Sequence, residues 1–106
     1  RSQNAYEYAE GFKGLEARTI DGSDFLSSYR AAFDAIETIR KERRPILLHA
    51  RVPLLNHHTS GVRMEWYRDY LEEAWMKDPY PIVKHQMRDM GFREDEIRAL
   101  EEEAEM

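Results

Sequence analysis

The sequence has no cysteine among its 106 residues, only four prolines and five glycines, and no uninterrupted apolar run of membrane length. Without cysteine there is no disulfide framework and no thiolate chemistry, and no segment reads as a transmembrane helix or a signal peptide. A reduced, cytoplasmic setting is the expectation. An excess of positive charge is also missing: 16 Lys and Arg stand against 21 Asp and Glu, a formal net charge of -5. That balance disfavours nucleic acid or an anionic membrane as a general partner. A chain of this length holds one domain at most, with room for a modest core. The first residue is Arg1 rather than methionine, so a processed chain or a piece of something longer is expected.

What is present reads as α/β. The opening stretch to Gly14 is polar with aromatics at Tyr6, Tyr8 and Phe12, a short helix or loop ending in a turn. A short strand over 15–20 then stops at Asp21-Gly22-Ser23-Asp24, where Ser23 or Asp24 is the expected N-cap of the next helix. From Asp24 to Lys41, Phe25, Tyr29, Ala32, Phe33, Ile36 and Ile39 recur at helical spacing, and the cations of Arg40-Lys41-Glu42-Arg43-Arg44 gather at the end where the helix dipole favours them. The apolar run from Pro45 to Val52 has the texture of a buried strand. Strand, helix, strand in that order makes a parallel crossover unit.

Helices fill the remainder. Residues 65–77 mix Trp66, Tyr67, Tyr70, Leu71, Ala74 and Trp75 with acids; Asp78 and Pro79 mark a second start that runs to a Gly91 stop; and residues 93–106 place Ile97 and Leu100 on one face of an acidic helix. Two parallel strands leave two unpaired edges, and parallel sheets are normally covered on both faces. The chain is therefore expected to be the tail of a larger α/β domain.

The candidate chemistry lies just past the second strand, in His57-His58-Thr59-Ser60. In open α/β sheets ligands bind beyond the carboxyl ends of the strands, and an imidazole titrating near neutral pH is suited to acid/base work there. The plain alternative is one ring on a backbone carbonyl and the other in solvent. Adjacent histidines on an extended segment point to opposite sides, so they are poor joint metal ligands, and no metal site is read in this chain. The aromatic set around Trp66 to Trp75 reads first as core or subunit interface, Thr59-Ser60-Gly61 as an ordinary loop, and Glu101-Glu102-Glu103 as a solvated helix face.

Taken in order, Ala9-Glu10-Gly11-Phe12, Ile20-Asp21-Gly22-Ser23-Asp24, Tyr29, Pro45-Ile46-Leu47-Leu48, His57-His58-Thr59-Ser60, Tyr67-Arg68, Lys77-Asp78-Pro79 and Gly91-Phe92 resemble the C-terminal part of the alpha subunit of thiamine-diphosphate-dependent 2-oxoacid dehydrogenases. Those enzymes are the decarboxylating first components of the branched-chain and pyruvate dehydrogenase complexes, and the double histidine leans toward the branched-chain type. The resemblance implies one fragment over 1–106 of a thiamine-diphosphate-binding fold: a strand–helix–strand part over 1–56, an active-site loop over 57–66 and C-terminal helices over 67–106. It implies a catalytic, cofactor-side role for His58, with His57 supporting the loop. It also implies thiamine diphosphate with Mg2+ in the complete enzyme, a 2-oxoacid substrate, a beta subunit or fused beta region, and a lipoyl-bearing acyltransferase core as partners. Thr59 matches the position of a regulatory phosphorylated serine in mitochondrial relatives, and no phosphorylation is inferred here.

Three departures accompany the resemblance. The family's Tyr-Arg pair before the histidines reads Pro53-Leu54, its acidic pair after the loop reads Val62-Arg63, and its Gly-Asp-Gly cofactor motif is absent. The cofactor is accordingly not expected to bind this chain alone. A non-catalytic protein-interaction module and a degenerate, inactive relative are the alternatives carried forward.

Overall fold

The computed structural model describes residues 4–56 and 71–106. Local chemistry accounts for each element. Asn4 opens α1, Ala5–Ala9, with a reciprocal capping box: its side chain accepts from the Glu7 N–H at 2.9 Å, and the Glu7 carboxylate accepts from the Asn4 N–H. Gly14, at a φ of 85°, turns the chain into β1, Glu16–Asp21. Asp24 caps α2, Phe25–Glu42, by accepting from the Ser27 N–H at 3.0 Å. Of the two expected caps, the aspartate is the one used; Ser23 is buried instead.

The far end of α2 closes without glycine. Arg43 takes the left-handed conformation at a φ of 55°, and its N–H reaches the Ile39 carbonyl at 2.9 Å. Strand β2, Ile46–Arg51, then pairs with β1 in parallel register, Glu16 beside Ile46 through to Asp21 beside Arg51. The expected strand–helix–strand unit is present, and the molecule is α/β.

Three helices follow. α3 is Leu71–Met76, within the span 65–77 where a helix is expected; residues 65–70 of that span lie outside the described residues. α4, Pro79–Asp89, starts at Asp78, whose carboxylate accepts from the Tyr80 N–H at 3.0 Å, with Pro79 in the first position where no N–H is needed. It ends in a Schellman arrangement: Gly91 sits at a φ of 94°, its N–H reaches the Arg88 carbonyl, and the Phe92 N–H reaches the Met87 carbonyl, each at 3.0 Å. α5, Glu94–Glu105, carries three acids in its first turn, and Glu96 accepts from the Arg93 N–H.

Among the described residues, the buried apolar set is small: Ala9, Ala35, Ala74 and Ile97. On α2 the apolar stripe read from the sequence is mostly open, with Phe25, Tyr29, Phe33 and Ile36 each about half exposed. A two-stranded sheet is too narrow to cover an 18-residue helix. The radius of gyration, 17.6 Å, exceeds the about 13 Å of a compact domain of this size. No helix among the described residues is long and apolar enough to cross a membrane.

Candidate functional site

The carboxyl ends of β1 and β2 meet at the turn Asp21-Gly22-Ser23-Asp24. The Gly22 N–H donates to the Arg51 carbonyl at 2.8 Å, which extends the parallel ladder one residue past β1 and draws the turn against the end of β2. Only glycine fits at that approach. A Cβ there would lie 2.5 Å from Val52 Cγ1, 3.0 Å from the Arg51 carbonyl oxygen and 3.2 Å from Ala50 Cβ. The glycine serves the close contact of two backbones rather than a special dihedral.

Either side of Gly22, two carboxylates organise the turn. Asp21 accepts from the Ser23 N–H at 3.0 Å, the Asx geometry that makes this residue a turn former. Asp24 has two partners: the Ser27 N–H of its own helix and, across the fold, Gln86 Nε2 on α4 at 2.8 Å. The Ser27 N–H, followed by the Gln86 amide, holds the Asp24 carboxyl below its ordinary value. One aspartate thus starts α2 and anchors α4 to it.

Beyond the strand ends lies an open cavity of about 460 Å3. Its floor is Thr19, Ile20 and Asp21 from β1, with Ser23 from the turn. Arg51, Val52 and Pro53 form one side, and Glu73, Ala74 and Lys77 from the α3 region close the other. Ala74 is buried and supports that wall. Ser23 is 2% exposed, and its hydroxyl has no hydrogen-bond partner among the described residues. The cavity stands where α/β sheets place ligands, within the usual volume range of small-molecule sites.

The histidines singled out in the sequence fall as follows. His57 and His58 lie outside the described residues, as do Thr59, Ser60, Val62 and Arg63, so only the path toward them is described, from β2 to Asn56. His49 lies within β2 opposite Thr19, its Nδ1 3.4 Å from the threonine hydroxyl, and His85 stands on the exposed side of α4 3.4 Å from Asp89. Neither lines the cavity. Among the described residues no group of three or more His, Asp or Glu is gathered to hold a metal ion.

Sequence reading assigned no site role to Ser23, Arg51, Glu73, Lys77 or Gln86. Arg51 had a usable signal, a charge at the last position of an apolar strand. Nothing local marked Lys77 or Gln86, because helix packing alone brings them to the strand ends.

No family model matches the chain, and no solved structure matches it significantly. Curated relatives do match. The 2-oxoisovalerate dehydrogenase subunit alpha of Bacillus subtilis is 30% identical over 97 residues, which is 90% of this chain and 29% of the relative. The mitochondrial alpha 2 subunit of Arabidopsis thaliana is 33% identical over 72 residues, 67% of this chain and 15% of the relative. The mitochondrial alpha subunit of Bos taurus is 28% identical over 86 residues, 78% of this chain and 19% of the relative. The chain spans less than a third of the length of these relatives. Over most of its own length it is similar to part of the alpha subunit of 2-oxoisovalerate dehydrogenase.

Proposed function

We propose that this chain is the C-terminal part of an alpha region of a 2-oxoacid dehydrogenase, the component that decarboxylates a branched-chain 2-oxoacid and passes the acyl group to a lipoyl arm. The observation that carries this is the 30% identity to the Bacillus subtilis alpha subunit over 90% of the chain. In this reading His58 manages the proton at the reacting carbon, the task for which a histidine is suited near neutral pH, and His57 supports the loop. A beta subunit or fused beta region completes the site, a lipoyl-bearing acyltransferase core accepts the product, and the setting is cytoplasmic. The two strand edges left unpaired among the described residues support a position inside a wider sheet.

Thiamine diphosphate with Mg2+ is the cofactor this reading requires in the complete enzyme. The described residues do not fit it. They gather no metal-binding group, and the Asp21 carboxylate at the strand end is already committed to the Ser23 N–H. A seat for the metal diphosphate belongs to other parts of the enzyme, and no step through the cofactor is assigned to these residues.

The second reading is a non-catalytic interaction module or an inactive relative, favoured by the half-exposed Phe25, Tyr29 and Phe33 on one helix face. Cofactor dependence separates the two. In the full polypeptide with its partner region, decarboxylation of 2-oxoisovalerate that requires added thiamine diphosphate and Mg2+ is expected. Partner binding without any such turnover would favour the interaction module.

A further inference from the structure

We propose that the outer face of α2 is a self-association surface, on which two copies of this chain pair antiparallel through Phe25, Tyr29, Ala32 and Ile36. The helix carries two apolar sides. The one toward the sheet is made of small residues: Ala35 is buried, and Ser28, Ala31 and Thr38 are half-buried, where α2 meets β1 and β2. The large residues Phe25, Tyr29, Phe33 and Ile36 lie further round the helix and stay about half exposed. Strands added beside β1 or β2 extend the sheet beneath the small side. Gln86 ties α4 to the start of α2 at Asp24 and leaves the large side open.

The spacing and sizes on that side suit a second copy of itself. Phe25, Tyr29, Ala32, Ile36 and Ile39 follow one another at steps of four, three, four and three residues, the seam by which one helix packs along another. No charged residue interrupts the seam, so a like seam meets it without burying a charge. In an antiparallel pair whose two-fold axis passes between Arg30 and Ala31, Tyr29, the largest residue of the seam, falls opposite Ala32 of the second copy, the smallest, and Phe25 falls opposite Ile36. Two-fold symmetry makes each of these contacts twice. The same register sets Arg40 of each copy beside the Asp21-Gly22-Ser23-Asp24 turn of the other, a cation against carboxylates. Three half-open rings leave roughly 100 Å2 apiece, and with Ile36 and Ile39 the face amounts to on the order of 450 Å2. Two such faces with their polar flanks reach the about 1,000 Å2 that a specific interface needs. Pairing through α2 requires no part of the alpha-region assignment, so self-association and turnover are tested separately.

The test is disulfide cross-linking of the full polypeptide carrying Phe25→Cys and Ile36→Cys together. Eleven residues along one helix separate the two sulfurs by about 16 Å, too far for a bond within one α2, so a linked peptide joining residues 25 and 36 reports two copies. Mild oxidation is expected to give that peptide, read by mass spectrometry, and to give little of it with Arg30→Cys and Lys41→Cys, which have the same separation on exposed positions outside the seam. A charge swap checks the register. Phe25→Lys alone and Ile36→Glu alone should each raise the dissociation constant of the pair by about tenfold or more at an unchanged thermal midpoint of the dilute chain, and mixing the two variants should restore pairing, because the new lysine then meets the new glutamate. Absence of the 25–36 peptide, equal yield from the Arg30 and Lys41 pair, or a cross-link from α2 to another segment of the polypeptide or to a different protein overturns the proposal.

Discussion

The α4–α5 pair and the strand ends are built from similar residues and treat their polar groups in opposite ways. On α4 and α5, Lys84 pairs with Glu101, Tyr80 donates to the same carboxylate, Arg88 pairs with Glu94, and Ile97 is buried at 2% exposure. At the strand ends, Arg51 and Lys77 stand unpaired among the described residues, the Ser23 hydroxyl lacks a partner, and an open cavity separates them. The named groups of the helical pair meet one another, whereas Arg51, Lys77 and the Ser23 hydroxyl meet no such partner among the described residues. A region with unspent donors and cations is where a ligand gains most, because the groups it meets have no internal partner to give up.

The largest effect on that contrast comes from removing the packing under the helices. Ile97→Ala should cost about 2–5 kcal/mol, read as a fall in the denaturation midpoint, because this side chain is the buried anchor of α5. A loss below about 0.5 kcal/mol would mean that surface pairs and not packing hold the helix. Next in size is Gly22→Ala. Its Cβ would meet the Arg51 carbonyl oxygen at 3.0 Å and Val52 Cγ1 at 2.5 Å, so about 1–3 kcal/mol of strain is expected.

Asp24→Ala removes the N-cap of α2 and the Gln86 tie together, so it should lower stability more than Asp24→Asn, which retains an acceptor oxygen for the Ser27 N–H. Equal midpoints for the two variants would dissolve that assignment. The smallest effects belong to exposed pairs, and acid resolves them. Lys84, then Tyr80, holds Glu101 below its usual value, Arg88 does so for Glu94, and Arg18, then Arg44, does so for Glu16. Carboxyls depressed on folding stabilise the protein above their unfolded value, near 4.5 for glutamate. That contribution disappears as pH falls through the lower folded value. Stability should therefore be level from neutral pH to about 5 and decline below it, with Glu101→Gln flattening part of the decline. Because these pairs are exposed, salt should shrink the effect; a decline insensitive to both would place its origin elsewhere.

Local signals made much of the fold legible. The Asp21-Gly22-Ser23-Asp24 cluster marked the β1–α2 turn, Asp78-Pro79 marked the start of α4 and Gly91 its stop, each because a cap or turn needs a particular side chain at one position. The end of α2 was less explicit, since Arg43 takes a left-handed conformation that glycine usually announces, and the cations of Arg40 to Arg44 were the visible sign. The cavity was half legible: parallel strand ends foretell its place, but Lys77 and Gln86 arrive by packing across more than 20 residues of chain, and no local pattern encodes that. The open α2 stripe was legible as an apolar face and not as an uncovered one, because the width of the sheet beneath it is a property of the fold. His57 and His58, the boldest reading of the sequence, lie outside the described residues.

The measurement that bears most directly on the account is turnover of 2-oxoisovalerate by the full polypeptide with its partner region, comparing the native chain with His58→Ala. A fall of about 10²-fold or more, the scale of a positioned acid/base residue, with an unchanged thermal midpoint, is the predicted result. Turnover unchanged by the substitution would contradict it and remove His58 from the mechanism.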